Sequence, residues 1–163
     1  MEIEESEFYR LAAVIVKQSK QCKLATKSPA LLLPSEQKGK WRAEYYENLL
    51  KRIRNAKTKT NYLFSFPYLA SELNRLKSQD AEKILNWWGL LLSYKSLDLR
   101  FTDMPFDSCI IGDEKILLKE RSKRFLISTD FSKAAEVVKT FNTVFARASR
   151  NHKEIMEKLR KSL

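Results

Sequence analysis

Lys51, Arg52, Arg54, Lys57 and Lys59 fall within nine residues, and Arg121, Lys123 and Arg124 belong to a second basic run, KERSKR. Groups of this kind neutralise phosphates, arginine through paired N–H donors and lysine as a point charge. Cations at the end of a helix also complement its dipole, at about 0.3–1 kcal/mol each. Five exceed what that effect requires. These eight residues form the candidate nucleic-acid-binding set. A third basic group, Arg147, Arg150, Lys153, Lys158, Arg160 and Lys161, coats the C-terminal segment beside Ile155, Met156 and Leu159.

Other chemistries are thinner. Asp98, Asp103 and Asp107 are spaced so that a nuclease could use one or more of them with a divalent metal. His152 is the sole histidine, set among charged residues, and reads as a solvated helical position. Cys22 and Cys109 are too few for a disulfide framework or a zinc site, and read as small buried hydrophobes. The three glycines, Gly39, Gly89 and Gly112, are isolated, so there is no phosphate-cradling loop. No cofactor, metal or catalytic residue is expected.

The elements that must position these groups follow from periodicity. Phe8, Leu11, Ala12, Ile15 and Val16 predict a helix over 5–20, and CKLAT lies in a short strand over 21–26. A loop punctuated by Pro29, Pro34 and Gly39 follows, with Leu31–Leu33 tucked under it. Tyr45, Tyr46, Leu49, Leu50, Ile53 and Ala56 line one side of a helix over 40–57. A strand over 58–66 leads to Pro67, which suits the first turn of a helix over 68–77. Asp80 caps a further helix over 81–94, with Ile84, Leu85, Trp88, Leu91 and Leu92 inward. Trp41 and Trp87 are less clearly inward and could edge a pocket or an interface.

The stretch LDLRFTDMPFDSCIIGDEKILLKE, residues 97–120, alternates apolar and polar positions, breaks at Asp103-Met104-Pro105 and turns at Gly112-Asp113. It predicts strand, loop, strand, tight turn, strand. RFLIS adds another strand over 124–128. Thr129 or Asp130 then caps a last helix carrying Ala134, Val137, Val138, Phe141, Val144, Phe145 and Ala148, which resumes at Ile155 and extends past the globular body. A mixed sheet flanked by helices, a single α/β domain over 1–163 with a basic helical extension over 149–163, is the simplest layer solution.

Composition agrees with one folded unit: 44% of residues are hydrophobic and 11% aromatic. No apolar run approaches the ~20 residues that span a bilayer, and the acidic start MEIEESEF is unlike a leader peptide. A cytoplasmic protein is expected. The net charge of +11 is uneven, with +9 over 17–60 and +7 over 114–163 against −3 over 1–16 and −2 over 61–113. Such an excess favours polyanion partners.

Element order and the 97–120 stretch together resemble one half of the phospholipase D-like superfamily, above all its non-catalytic members, such as effector domains of archaeal sugar-responsive transcription regulators. The resemblance rests on Leu99-Arg100-Phe101, Asp103, Pro105-Phe106, Cys109-Ile110-Ile111, Gly112-Asp113 and Ile116-Leu117-Leu118. Active members carry His-x-Lys-x(4)-Asp here, the histidine attacking phosphorus and the lysine neutralising phosphate charge. Those three positions fall on Pro105, Asp107 and Gly112, and Asp113 serves the turn. The resemblance therefore implies a non-enzymatic half-domain, paired as a homodimer, that is nucleic-acid-associated or regulatory. It leaves open a small-molecule sensor or protein-interaction domain working with a regulatory protein partner.

Overall fold

Strand alternation decides which side chains meet which layer. In Lys59–Ser65, Thr60, Tyr62 and Phe64 face one way and Leu63 the other, and all four are buried. The structure, a computed structural model, describes residues 1–26, 39–76, 78–113, 115–120, 122–128 and 130–161. The loop expected between 27 and 39 lies outside these apart from Gly39, as does Thr129.

Thirteen elements are described: β1 (Glu2–Ile3), α1 (Glu5–Gln18), β2 (Gln21–Thr26), α2 (Lys40–Arg54), β3 (Lys59–Ser65), α3 (Phe66–Arg75), α4 (Ser78–Leu91), β4 (Leu97–Thr102), β5 (Ser108–Ile111), β6 (Ile116–Lys119), β7 (Phe125–Ser128), α5 (Phe131–Arg147) and α6 (His152–Lys161). They form a single α/β domain around a seven-stranded sheet in the order β1-β7-β6-β5-β2-β3-β4. β2, β3 and β4 run parallel, while β5, β6, β7 and β1 are antiparallel to their neighbours.

The crossovers from β2 to β3 and from β3 to β4 step in the same direction across the sheet. Crossovers of one hand then put α2, α3 and α4 on the same face. α1 joins them over a core of Leu24, Leu49, Tyr62, Phe64, Leu85 and Trp88. α5 covers the other face with Phe141, Val144 and Phe145, against Ala25, Leu63, Cys109 and Ile111. The aromatic stripe Tyr62, Phe64, Trp88 and Phe101 is continuous, its ring centroids 4.4 to 6.1 Å apart.

Local chemistry sets the helix ends, with Pro67 and Asp130 in their expected roles. α3 starts at Phe66, with Pro67 in its first turn and Ser65 as its N-cap, whose hydroxyl accepts from the Tyr68 amide. α4 starts at Ser78, which places Asp80 inside the first turn. Asp130 caps α5 by accepting from the Ser132 amide at 2.9 Å. α5 does not run on into the C-terminal segment. It ends at Arg147 with Ala148 as its C-cap, and Ser149 forms an antiparallel bridge with Phe101 on the outer edge of β4. α6 is a separate helix beyond that bridge.

Candidate nucleic-acid interface

The pairing register sorts the cations into two opposite ends of the sheet. Lys59 pairs with Gln21 where β2 and β3 begin. Ile111 pairs with Lys23 and Ile116, so the turn after β5 lies at that same end. Ser108 pairs with Lys119, so the β6–β7 turn lies where β2, β3 and β4 finish. Lys51, Arg54, Lys57 and Lys59 therefore sit at the starting end of the parallel strands, and Lys123 and Arg124 at the finishing end. The two basic runs are not brought together. Arg121 lies outside the described residues.

Within the first run the residues have different fates. Lys51, Arg54, Lys57 and Lys59 are exposed, and Lys51 reaches Glu47 at 3.2 Å. Arg52 is withdrawn from the surface, at 4% exposure. Its Nε donates to Thr60 Oγ1 at 2.8 Å, Nη1 to the Val16 and Ser19 carbonyls, and Nη2 to Lys20 O at 2.9 Å and Lys59 O at 2.7 Å. A guanidinium has five N–H donors, and these five bonds use them all. Arg52 is a clasp between α1, α2, β2 and β3, and has nothing left to offer a phosphate. The sequence held a signal for this: Tyr45, Leu49, Arg52 and Ile53 follow i, i+4, i+7, i+8, the buried stripe of α2.

The fold adds cations to this end that are scattered in sequence. Lys20 precedes β2, Lys95 precedes β4 and Lys115 precedes β6, and all three are exposed. With Arg54, Lys57 and Lys59 they make six cations that form no ion pair among the described residues, although the Asp113 carboxylate feels the charge of Lys20. The Asp113 carboxylate lies here, but it caps backbone. Its oxygens accept from the Lys20 amide at 2.9 Å and the Gln21 amide at 3.3 Å, and the Lys20 bond foremost holds its pKa below the usual carboxylate range. Asp113 thus joins the β5–β6 turn to the start of β2, rather than serving its own turn alone. A groove of about 210 Å³, lined by Lys17, Asn48, Lys51 and Asn55 among others, runs between α1 and α2 beside these cations.

At the opposite end Arg124 is tied to Glu2 at 3.3 Å and Glu120 at 3.8 Å. Lys123 is exposed and adopts a left-handed backbone, φ 65°, in the turn. This end also holds a cavity of about 320 Å³ whose lining includes Tyr9, Arg42, Tyr45, Tyr46, Tyr62, Tyr68, Ser108 and Lys119. Its walls come from seven elements and from the β6–β7 connection, so no sequence spacing announces it.

The acids weighed for metal chemistry do not converge. Asp98 is held by Arg100 and by Arg150, at 3.1 Å each. Asp103 follows β4 and Asp107 precedes β5, both exposed. Among the described residues no three His, Cys, Asp or Glu side chains form a group suited to a metal ion. Pro105 and Asp107 precede β5 and Gly112 follows it. Gly112 is packed so closely that a Cβ there would sit 2.6 Å from both Ile15 Cγ2 and Ser19 Oγ.

His152 is not a solvated position. It is half-buried, its Nε2 meets the Leu99 carbonyl, and its ring stands edge-on to Phe101. Trp88 is in the core, and Trp41 and Trp87 pack against it half-buried. Cys22 and Cys109 are buried free thiols. No described helix is long and apolar enough to cross a membrane.

Neither the known family models nor the curated proteins contain a match to this chain. Among solved structures it is similar to TrmBL2, described as an archaeal chromatin protein with a novel mode of DNA binding. The TM-score is 0.58 at 15% identity, covering 92% of this chain and 53% of that one. The likeness shows a common fold, and this chain spans about half the length of that neighbour.

Proposed function

We propose that this chain is a non-enzymatic, nucleic-acid-associated regulatory module that holds a polyanion on the starting end of its parallel strands. The observation that carries this is the six-cation end formed by Lys20, Arg54, Lys57, Lys59, Lys95 and Lys115, all exposed and none in an ion pair among the described residues. A polyanion releases its condensed counterions to such a surface, and that release drives binding. The fold shared with a DNA-binding chromatin protein supports the same class of partner.

A phospholipase D-like half-domain remains our assignment for the architecture. On that alignment the catalytic histidine and lysine positions carry Pro105 and Asp107, and an exposed carboxylate repels phosphate instead of neutralising it. Such halves pair, so the working unit is a symmetric homodimer in the cytoplasm, with a charge of +22 from two copies at +11.

Salt-dependent binding to duplex DNA and to RNA tests the proposal. Four phosphate contacts on duplex DNA give a slope of log K against log salt of about −3.6. Lys57→Gln with Lys59→Gln should make that slope about 1.8 units shallower. Absent binding, or a slope near zero, would remove the proposal.

A further inference from the structure

The cavity at the finishing end of the parallel strands is lined by phenol rings and by a small group of charges, at the other end of the sheet from the polyanion surface. Arg42 lines it, with its guanidinium 5.4 Å from the Tyr9 ring centroid. The Arg42 Nε–H is buried and has no hydrogen-bond partner among the described residues. A buried donor left unpaired is costly, and a bound acceptor removes that cost. Lys119 and Lys123 also line the cavity, and Glu120 is the carboxylate among its lining residues.

Three cations and one carboxylate leave the lining at +2. Glu120 is drawn toward the hairpin: its Oε2 accepts from Ser122 Oγ at 3.2 Å and lies 3.8 Å from Arg124 Nη1. Ser108 and Thr26 add small hydroxyl side chains to the lining. Burial raises the Tyr46 phenol pKa, while the Arg42 charge and a hydrogen bond from Arg42 pull it back, so the guanidinium and this phenol act together.

We propose that this cavity binds a small organic phosphomonoester, with its phosphate on Arg42 and the Lys119–Lys123 rim and its body against the tyrosine walls. A phosphomonoester carries about −1.5 to −2 at pH 7 and three acceptor oxygens, which matches a +2 lining with an unspent N–H. A cavity of about 320 Å³ lies at the small end of the range for organic ligands. Tyrosine faces suit a sugar or base ring. The site is independent of the polyanion surface, since no residue of one belongs to the other.

Calorimetric titration of the full chain with adenosine 5′-monophosphate and ribose 5-phosphate, against adenosine and ribose, tests this. At least one phosphorylated probe should bind saturably, one per chain, and at least tenfold more tightly than its unphosphorylated counterpart. Arg42→Gln should weaken that binding at least tenfold, and Lys57→Gln with Lys59→Gln should leave it unchanged. If Arg42→Gln fails to fold by circular dichroism, Lys123→Gln on the exposed rim replaces it, with a loss of threefold or more expected. The proposal is overturned if neither phosphorylated probe saturates, if the counterparts bind equally well, or if the cavity variant that folds binds as the wild type does. Binding lost only in the Lys57/Lys59 variant would likewise overturn it, by moving the phosphate to the other end.

Discussion

Arg52 donates to the Lys59 carbonyl at 2.7 Å across the turn that joins α2 to β3. The same guanidinium holds Thr60 and three carbonyls at the end of α1 and the start of β2. Arg52→Ala leaves those acceptors without their donor and opens a hole in the layer, so a loss of about 2–4 kcal/mol is expected. Urea unfolding measures it. Lys57→Gln, two residues from that carbonyl but exposed, should stay within about 0.5 kcal/mol of wild type. Equal losses for the two variants would contradict the division between clasp and surface.

Gly112 gives a second prediction. A methyl group at this position would stand 2.6 Å from Ile15 Cγ2 and Ser19 Oγ, and Ser19 Oγ already accepts from the Asp113 amide at 3.3 Å. Gly112→Ala must push α1 away from the β5–β6 turn, at about 1–3 kcal/mol. An unchanged thermal midpoint would mean that α1 yields without cost.

The strands from Leu97 to Lys119 were legible in the sequence because apolar residues recur every two positions and Pro105 and Gly112 interrupt them, even though helices bury both faces of β4 and β5. β1 was not, because Glu2 and Ile3 are too few to show a period. The bridge at Ser149 was hidden for another reason: the apolar spacing of α5 and α6 is compatible with one long helix, and only the open edge of β4 dictates a break. At the basic end, density in sequence pointed to Lys51–Lys59. It could not separate Arg52 from its neighbours without following the helical stripe. Lys20, Lys95 and Lys115 stand alone in sequence and meet through strand order.

That bridge leads to a third prediction. Phe101 exchanges both backbone hydrogen bonds with Ser149, at 3.2 and 2.9 Å, and His152 covers the Leu99 carbonyl next along the strand. Arg150 adds an ion pair to Asp98 at 3.1 Å. The C-terminal segment thereby closes an edge that would otherwise template pairing with another chain. Truncation after Ala148 should produce species larger than those of the intact chain, increasing with concentration in sedimentation velocity. An unchanged distribution would show that the edge is silent when bare.

Buried thiols and phenols together shape how stability falls in alkali. Burial, above all, pushes Cys22 up to about 11, with Arg52 opposing it, and pushes Cys109 up to about 12. Burial likewise raises Tyr45 and Tyr62 well above their ordinary range. Each group is harder to ionise folded than unfolded. The stability they lend is fully present below the ordinary thiol pKa and is lost as pH climbs through the folded values. The urea midpoint should therefore be level in this respect below about pH 8.5 and fall steadily from there toward pH 11. Cys22→Ala with Cys109→Ala should flatten the first part of that fall, leaving the tyrosine part above pH 10. In the wild type at pH 8, a thiol reagent should label neither cysteine until urea unfolds the chain, because each thiol is buried and protonated. Rapid labelling of the folded protein would show that β2 and β5 open far more readily than their packing implies.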